Sequence, residues 1–456
     1  MKRNNAMWTG MFVALALACG SALAQDPPAW RAEFLQVDAP KVLLRNVLLI
    51  DGSGSPAVAR QSILVENGVI SAIGPNLSAP EGATVLDLDG RSVMPGLVML
   101  HEHMMYFSGR AVWHSQPVSY PKLYLAAGVT TLRTAGTEHP EVDRNLKRRI
   151  DEGLAPGPSM HLTGPYLNGS AGDFLGDTVL STADEGRAAA AYWAGRGFTS
   201  LKLYDAVDAT LAAAIIDEAH RHGVQVTGHL RELGCAEAAT LGIDSIEHAF
   251  MSCAKDLGLA PNYAGFVARP EDPRVRDLIR TLVDAGVVLV TTPMAPGRPV
   301  GDEALAMLAP QAREAYLAMA GVQAPWMPDA AGMRELRKLE RAFVEAGGRL
   351  GVGADAMDQG MVAGFQNHLA LELLVEDGWT PLEVIRMATS NGAELLGIAD
   401  RVGRIAPGYA ADLIVLRRDP STDITALQDI ELVFKDGAGY DPGKLREAAR
   451  GKVGWH

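Results

Sequence analysis

Five side chains that suit a divalent metal lie at the ends of predicted β-strands: His101, His103, His229, His248 and Asp355. Imidazole and carboxylate groups are common protein ligands of zinc and related ions. His101 and His103 are two residues apart, so in a strand both point to the same side and can bind one ion, while Glu102 points elsewhere. A single histidine at a strand end is more often structural. Five such side chains in one chain favour a metal site.

A lysine in the middle of an apolar strand adds a second chemical signal. Lys202 lies between Leu201 and Leu203 in the segment TSLKLYD. The leucines are expected to face helices, which places Lys202 and Tyr204 on the inner side of the strand. Burial lowers the pKa of a lysine and favours its neutral amine, which can react with carbon dioxide to give a carbamate. We favour a carboxylated lysine that bridges two metals over the alternative, an ion pair with an acid such as Asp355.

These residues belong to a regular alternation of short apolar strands and alanine-rich helices. The alternation predicts an α/β fold built from βαβ units around a parallel sheet. Eight strands over about 260 residues match the usual size of a (β/α)8 TIM barrel, in which the C-terminal strand ends surround the active site. The predicted strands are Leu97–His101, Val129–Arg133, Met160–Thr163, Ser200–Tyr204, Gln225–His229, Asp244–His248, Val287–Thr291 and Leu350–Asp355.

Strands and tight turns also occur on both sides of the barrel segment. Residues 41–95 contain apolar runs cut by the turn signals Asp51-Gly52, Asn67-Gly68 and Asp89-Gly90, and residues 401–436 return to the same pattern. We predict that these two segments, from the N- and C-terminal parts of the chain, form one small β-sandwich domain beside a barrel of residues 96–400. Residues 25–40 show no clear period and are predicted to be a linker.

The composition is that of a globular protein with an acidic surface. Of the 456 residues, 48% are hydrophobic and 21% are charged, which excludes a disordered chain. A net charge of −13 without a basic cluster argues against nucleic-acid binding. Cys235 and Cys253 can form a disulfide or remain two buried thiols, and the sequence leaves both open. It also leaves open the oligomeric state, including a homo-oligomer.

Residues 1–24 have the features of a cleavable secretory signal peptide. Lys2 and Arg3 precede the apolar run MFVALALA, and Ala22-Leu23-Ala24 provides a small-residue cleavage site. A lipoprotein signal ending at Cys19 fits less well, because the preceding leucine is one place late. Cleavage after Ala24 would leave 432 residues with a net charge of −15 in the periplasm or outside the cell. No later stretch has the ~18 unbroken apolar residues of a membrane span, so no membrane association is expected after cleavage.

The motifs together resemble those of the amidohydrolase superfamily, whose binuclear members hold two metals in a TIM barrel. The resemblance runs from Lys41 to Leu416 and includes MPGLVMLHEH, AGVTTLR, GIDSIEHAF, GVGADA, ATSNGAELLG and VGRIAPGYAADLIVL. It is closest to the imidazolonepropionase-like, prolidase-like group, which includes Xaa-Pro dipeptidases and ochratoxin-hydrolysing amidases. The resemblance implies two divalent ions, expected to be Zn²⁺, with His101, His103 and Asp355 on one, His229 and His248 on the other, and carboxylated Lys202 as the bridge.

The activity that this resemblance implies is hydrolysis of an amide C–N bond in a small substrate such as a dipeptide or an N-acyl amino acid. A metal-bridging hydroxide would attack the carbonyl carbon, and Asp355 would carry its proton to the leaving amine. Tyr204 is a candidate donor to the oxyanion, and Arg231 is a candidate partner of a substrate carboxylate. Aromatic packing and a surface salt bridge are the respective alternatives. The same centre would also serve a lactonase or phosphotriesterase, and a non-catalytic binding barrel is a third interpretation.

Overall fold

The computed structural model describes residues 28–108, 113–170, 176–259, 266–295, 298–319, 330–358 and 360–454. The predicted signal peptide and its cleavage site lie outside these residues and stay a prediction. The strands of the described part are β1 (Leu35–Val37), β2 (Lys41–Leu49), β3 (Val58–Glu66), β4 (Val69–Gly74), β5 (Thr84–Asp87), β6 (Ser92–Pro95), β7 (Leu97–Glu102), β8 (Met105–Phe107), β9 (Trp113–Ser115), β10 (Val129–Thr134), β11 (Ser159–His161), β12 (Thr163–Asn168), β13 (Thr178–Val179), β14 (Ser200–Leu203), β15 (Gln225–Gly228), β16 (Ser245–Glu247), β17 (Val288–Thr291), β18 (Arg349–Val352), β19 (Leu413–Leu416), β20 (Ile430–Lys435) and β21 (Ala438–Tyr440).

Eight parallel strand positions form the barrel, in the order β7, β10, β11–β12, β14, β15, β16, β17 and β18. The third position is interrupted at Leu162, so β11 pairs with β10 and β12 pairs with β14. The barrel closes between its last and first strands, because the backbone N–H of Asp355 donates to the carbonyl of His101 at 3.0 Å. The predicted fold class, a TIM barrel with an added β domain, is confirmed.

The β domain takes strands from both sides of the barrel segment. Its sheet runs β1-β21-β20-β19-β6-β2-β3-β4, and β5 also pairs with β2. The sheet forks at β2, because residues 42–45 pair with β5 while Leu48 and Leu49 pair with β6. Apolar side chains from both segments of the chain share one core, as Ile63 and Val65 pack in the same cluster as Leu413 and Phe434. The two segments predicted to share a β domain therefore lie in one unit.

Fifteen α-helices occur in the described residues, and most of them cover the barrel. They are α1 (Ala29–Phe34), α2 (Tyr120–Ala126), α3 (Pro140–Asp151), α4 (Ala183–Ala194), α5 (Ala209–Arg221), α6 (Cys235–Leu241), α7 (Ala254–Leu257), α8 (Pro273–Asp284), α9 (Asp302–Met307), α10 (Pro310–Met319), α11 (Ala330–Glu345), α12 (Phe365–Glu376), α13 (Pro381–Arg386), α14 (Gly392–Leu395) and α15 (Pro442–Ala449). A π-helical turn, Met387–Asn391, joins α13 to α14. No helix in the described ranges is both long enough and apolar enough to cross a membrane.

Two stretches differ from the sequence prediction. The segment predicted as a linker contains α1 and β1 within its described part, and β1 pairs with β21 at the edge of the β domain. Two buried apolar side chains, Phe34 and Val37, explain why this segment forms regular structure. The third barrel strand continues to Asn168 rather than ending near Thr163. His161 therefore lies at the break in this strand and not at the mouth of the barrel.

A half-buried neutral histidine on α12 makes the stability of the fold pH-dependent. Burial lowers the pKa of His368 to about 4 from an ordinary value of 6.5, and its Nε2 lies 2.9 Å from the carbonyl oxygen of Ala127. The unfolded chain therefore binds a proton below pH 6.5 that the folded chain takes up only near pH 4. This histidine stabilises the fold fully above pH 6.5, and the contribution is lost as the pH falls towards 4.

We predict that His368→Gln, whose amide can still donate to Ala127, weakens this pH dependence. Between pH 7 and pH 5 the free energy of unfolding of the variant should fall by about 2 kcal/mol less than that of the wild type. Urea unfolding of both proteins at the two pH values measures the difference. Equal losses in the two proteins would contradict the assignment.

Candidate metal centre

The candidate ligands lie together at the C-terminal mouth of the barrel. His101 is the next-to-last residue of β7, whereas His229, His248 and Asp355 follow directly or shortly after the ends of β15, β16 and β18. The imidazole centroids of His101 and His248 are 4.6 Å apart, and those of His248 and His229 are also 4.6 Å apart. Nitrogen and oxygen atoms of His101, His248 and Asp355 all fall within 4.8 Å of one another. The fold thus gathers side chains that are far apart in the sequence.

Hydrogen bonds fix how two of the histidines present their nitrogens. Nδ1 of His101 lies 2.6 Å from Oε2 of Glu247, and Nδ1 of His103 lies 3.1 Å from the carbonyl oxygen of Gly136. A carboxylate and a carbonyl accept hydrogen bonds, so both rings carry their proton on Nδ1 when neutral. The lone pair of each Nε2 then faces Oδ1 of Asp355, at 3.4 Å from His101 and 3.1 Å from His103.

This donor set fits a divalent cation. Two imidazole lone pairs and one carboxylate oxygen converge, and acceptors so placed repel one another unless a proton or a cation lies between them. Burial opposes protonation of His101, but the nearby carboxylates of Asp355 and Glu247 raise its pKa. Burial also disfavours ionisation of Asp355, yet His101 and His103 hold its pKa well below the usual range. The site therefore keeps an anion ready for a cation.

The backbone at two candidate ligands is left-handed. Asp355 has φ of 51° and His248 has φ of 57°, followed by Ala249 at 47°. Residues other than glycine rarely adopt this region, and such outliers cluster at functional sites. The neighbouring contacts hold the conformation of His248, because its Nδ1 lies 2.7 Å from Oγ1 of Thr292 and Ser252 Oγ donates to the carbonyl of Glu247 at 2.7 Å.

His229 and its surroundings form the second side of the site. Burial, with Lys202 and Arg231 nearby, lowers the pKa of His229 to about 3, so the ring is neutral and can act as a ligand. Its Nε2 lies 3.6 Å from Oδ1 of Asp205. Burial and Asp205 raise the pKa of Tyr204 well above its ordinary value, and its ring centroid is 5.1 Å from that of His229. Tyr204 thus keeps its phenolic proton beside the histidines.

Arg231 lies at the rim of this site. Its side chain is 69% exposed, and Nη2 is 3.4 Å from Oδ2 of Asp205. The structure therefore pairs the predicted carboxylate-binding residue with a carboxylate of the chain itself.

Lys202 is sealed inside the barrel. Its exposure is 1%, and its neighbours Leu201 and Leu203 are part of the barrel core, as the strand alternation predicted. Burial lowers the pKa of Lys202 to about 8, although Glu247 and Asp355 act in the opposite direction. The positive charge of its ammonium group acts to lower the pKa of all four candidate histidines, so Lys202 lies close to them.

Three buried ionisable residues of the site were not selected from the sequence. Glu247 and Arg133 are bonded to each other inside the barrel, and Glu102 accepts hydrogen bonds from Ala354 N at 3.0 Å and Asn367 Nδ2 at 2.8 Å. Burial raises the pKa of Glu102 to about 8. The alternation of inward and outward side chains that predicted Lys202 to face the barrel interior applies equally to residues 131–133 (TLR) and 245–247 (SIE). The same reasoning would have predicted that Arg133 and Glu247 face the interior.

A disulfide connects the segments that follow two candidate ligands. Cys235 and Cys253 are bonded, with their Cα atoms 5.2 Å apart, which answers the question that the sequence left open. Cys235 begins α6 shortly after His229, and Cys253 directly precedes α7 shortly after His248. Asp256 adds a second connection, because its carboxylate accepts from the backbone N–H of Cys235 at 2.7 Å.

Comparison with known proteins identifies the family. The model of the amidohydrolase family matches residues 92–438, which is most of the chain. The chain belongs to the amidohydrolase family. It is therefore a hydrolase that acts on carbon–nitrogen bonds, and the predicted enzyme class is confirmed.

Individual relatives of this amidohydrolase cover most of its length. Imidazolonepropionase of Rhodococcus jostii is 28% identical over 380 residues, which span 80% of this chain and 84% of that protein. A candidate prolidase of Bifidobacterium longum matches with a TM-score of 0.66 and 26% identity, over 88% of this chain and 94% of its own. The ochratoxinase of A. niger matches with a TM-score of 0.63 and 20% identity, over 91% and 100% of the two chains. The predicted resemblance to this group is confirmed.

A glycine beside His101, the first candidate ligand of this amidohydrolase, provides a test of the site geometry. A Cβ atom at Gly353 would lie 2.5 Å from the backbone N and 2.6 Å from Cα of His101, whereas one at Gly351 would meet the flexible end of Leu100. We predict that Gly353→Ala displaces His101, lowers bound metal and destabilises the fold by about 1–3 kcal/mol, the usual cost of overpacking. Gly351→Ala should be milder. Thermal melting and elemental analysis measure both, and a Gly353→Ala protein with normal metal content would contradict this geometry.

Proposed function

We propose that this amidohydrolase uses bound divalent metal to hydrolyse an amide bond of a small substrate, such as a dipeptide or an N-acyl amino acid. The observation that carries the proposal is the convergence of the His101 and His103 Nε2 atoms on the carboxylate of Asp355. The relatives named as an imidazolonepropionase, a prolidase and an ochratoxinase support cleavage of a carbon–nitrogen bond. These relatives are named for different substrates, so the substrate of this protein has to be identified by a screen.

The residues proposed to hold two metal ions are those predicted from the sequence: His101, His103, Lys202, His229, His248 and Asp355. The resemblance assigns His248 to the same metal as His229, whereas in the described residues ligand atoms of His248, His101 and Asp355 all lie within 4.8 Å of one another. Zn²⁺ is the proposed metal, because neutral imidazoles and carboxylates suit it. When bound, such ions lower the pKa of water and polarise the scissile carbonyl.

Lys202 is proposed to act as a carbamate. Its buried amine has a pKa of about 8, so a useful fraction is neutral near pH 7.5 and can attack the carbon of carbon dioxide. A C–N bond forms, the nitrogen loses a proton, and the product carries one negative charge. This change replaces a buried cation by an anion among four histidines, which lowers the electrostatic cost of gathering cations there.

Asp355 is proposed as the group that moves the proton. Its carboxylate is ionised, since His101 and His103 hold its pKa well below the usual range, and it lies at the centre of the site. It can accept the proton of the attacking water and deliver it to the leaving nitrogen, so the amine departs neutral.

Two further residues are proposed to handle the substrate. Tyr204 keeps its phenolic proton and lies beside His229, so it can donate to the oxyanion that develops on the carbonyl oxygen. Arg231 is proposed to bind a substrate carboxylate. Because it is paired with Asp205, such a substrate would have to share or displace that partner.

Export to the periplasm or the medium is part of the proposal. The sequence features of residues 1–24 suggest it, and the Cys235–Cys253 disulfide supports it, because such bonds persist in oxidising compartments. N-terminal sequencing of the protein purified from its own cells should begin at Gln25. A mature protein that keeps Met1 would contradict export by this signal.

Hydrolysis assays with Asp355→Asn as the matched variant test the reaction. We predict that the wild type cleaves members of a panel of dipeptides and N-acyl amino acids, and that kcat of the variant falls by ~10²–10⁴, the usual contribution of a positioned acid–base group. Metal content is measured in parallel, so that loss of a ligand is separated from loss of proton transfer. Matched lactone and phosphotriester substrates are included. Turnover of these alone, or full activity of Asp355→Asn with normal metal content, would overturn the assignment.

Metal stoichiometry tests the role of Lys202. We expect two divalent ions per wild-type chain, a chelator-sensitive activity, and a strong loss of activity in Lys202→Ala. Short-chain carboxylic acids should partly restore this variant by supplying the missing anionic bridge. A single tightly held ion together with an unmodified Lys202 by mass spectrometry would contradict the binuclear centre.

A further inference from the structure

Glu247 is a carboxylate enclosed inside the barrel, one residue before the candidate ligand His248. Its side chain is fully buried. Oε2 lies 2.6 Å from Nδ1 of His101, while Oε1 accepts hydrogen bonds from Nη2 of Arg133 and Oγ1 of Thr227. The proposed reaction does not use Glu247, so these contacts need another explanation.

Arg133 connects this carboxylate to the strand that carries the first ligand. Besides its contact with Glu247, its Nη1 donates to Ser245 Oγ at 3.0 Å and its Nε donates to the carbonyl of Leu100 at 2.8 Å. Leu100 directly precedes His101 in β7. One guanidinium group therefore holds both the backbone next to His101 and the carboxylate that binds its ring.

Stability alone explains this arrangement poorly. Burial of a charged pair costs desolvation free energy, and apolar residues of similar volume often stabilise a fold as much or more. The contacts of Glu247 do have a defined effect on His101. Because a carboxylate only accepts, the proton of the neutral ring stays on Nδ1 and the lone pair stays on Nε2, which faces Asp355 at 3.4 Å.

We propose that Glu247, anchored by Arg133, is a positioning residue that fixes the tautomer and the direction of His101 for metal binding. The inference rests on the proposed function, since it takes His101 as a metal ligand. Carboxylate partners of ligating histidines contribute ~10–100-fold in metal affinity or activity. In this role Glu247 sets the tautomer and the direction of the His101 ring and does not contact the substrate.

The test is Glu247→Gln in the full-length protein, loaded with a single metal at a time. The amide has nearly the same size, but its NH₂ group would face either His101 or Arg133, so one buried donor loses its acceptor. We expect Zn²⁺ affinity, measured by competition with a chromophoric chelator, to fall ~10–100-fold. We also expect the visible absorption spectrum of the Co²⁺-substituted protein to change, because it reports the ligand field directly.

A matched control separates this effect from a general loss of stability. Asp412 in the β domain is also a buried carboxylate with a cationic partner, as its Oδ2 lies 3.3 Å from Nζ of Lys435. Asp412→Asn should lower the melting temperature while leaving Zn²⁺ affinity and the Co²⁺ spectrum unchanged. A purely structural role of Glu247 would give this same result.

Arg133→Lys provides a second variant if Glu247→Gln does not fold. It keeps the charge but loses the branched guanidinium, so we expect a smaller loss of Zn²⁺ affinity with the same direction of spectral change. Unchanged affinity and spectrum in the folded variant, or failure of both variants to fold, would overturn the positioning role. A wild-type protein that binds neither Zn²⁺ nor Co²⁺ would instead contradict the proposed function.

Discussion

A buried negative charge has to find partners inside the protein, and Glu247 finds them on three other barrel strands. His101 comes from β7, Arg133 from β10 and Thr227 from β15, while Glu247 itself ends β16. These strands surround the barrel axis, so the bonds cross the interior and form only when the barrel closes. The polar cluster therefore couples closure of the fold to the orientation of a candidate metal ligand. Unpaired charge at this depth would cost several kcal/mol, which makes the coupling strong.

Above this cluster, the mouth of the barrel concentrates groups whose protonation is set by burial and by neighbouring charges. His229 and His248 are held neutral, Asp355 is held ionised, and the pKa of Lys202 is lowered to about 8. Each of these states is the one that a metal ligand, or the precursor of a carbamate, requires. Burial thus keeps the histidines neutral and lowers the pKa of the lysine, whereas the neighbouring histidines keep Asp355 ionised against the effect of burial.

The free-energy cost of assembling this buried site is offset by hydrogen bonds and a disulfide that hold the segments around it. The left-handed backbones of His248 and Asp355 are held by Thr292, by Ser252 and by the hydrogen bond that closes the barrel. The disulfide and Asp256 tie the segments after His229 and His248 to each other. Solved structures only 20–26% identical share this fold over about nine-tenths of the chain, which agrees with a scaffold fixed by packing rather than by particular surface residues.

The sequence by itself determined the barrel, the β domain built from both sides of it, and the inward direction of Lys202, because strand alternation and turn residues are local signals. It also named the residues that the fold brings together at the barrel mouth. Only the tertiary structure decided that residues 28–40 join the β domain, that the two cysteines are bonded, and that Arg231 pairs with Asp205. It alone showed the Glu247–Arg133–His101 connection, since hydrogen bonds between strands distant in the chain depend on barrel closure and register, which no local pattern encodes.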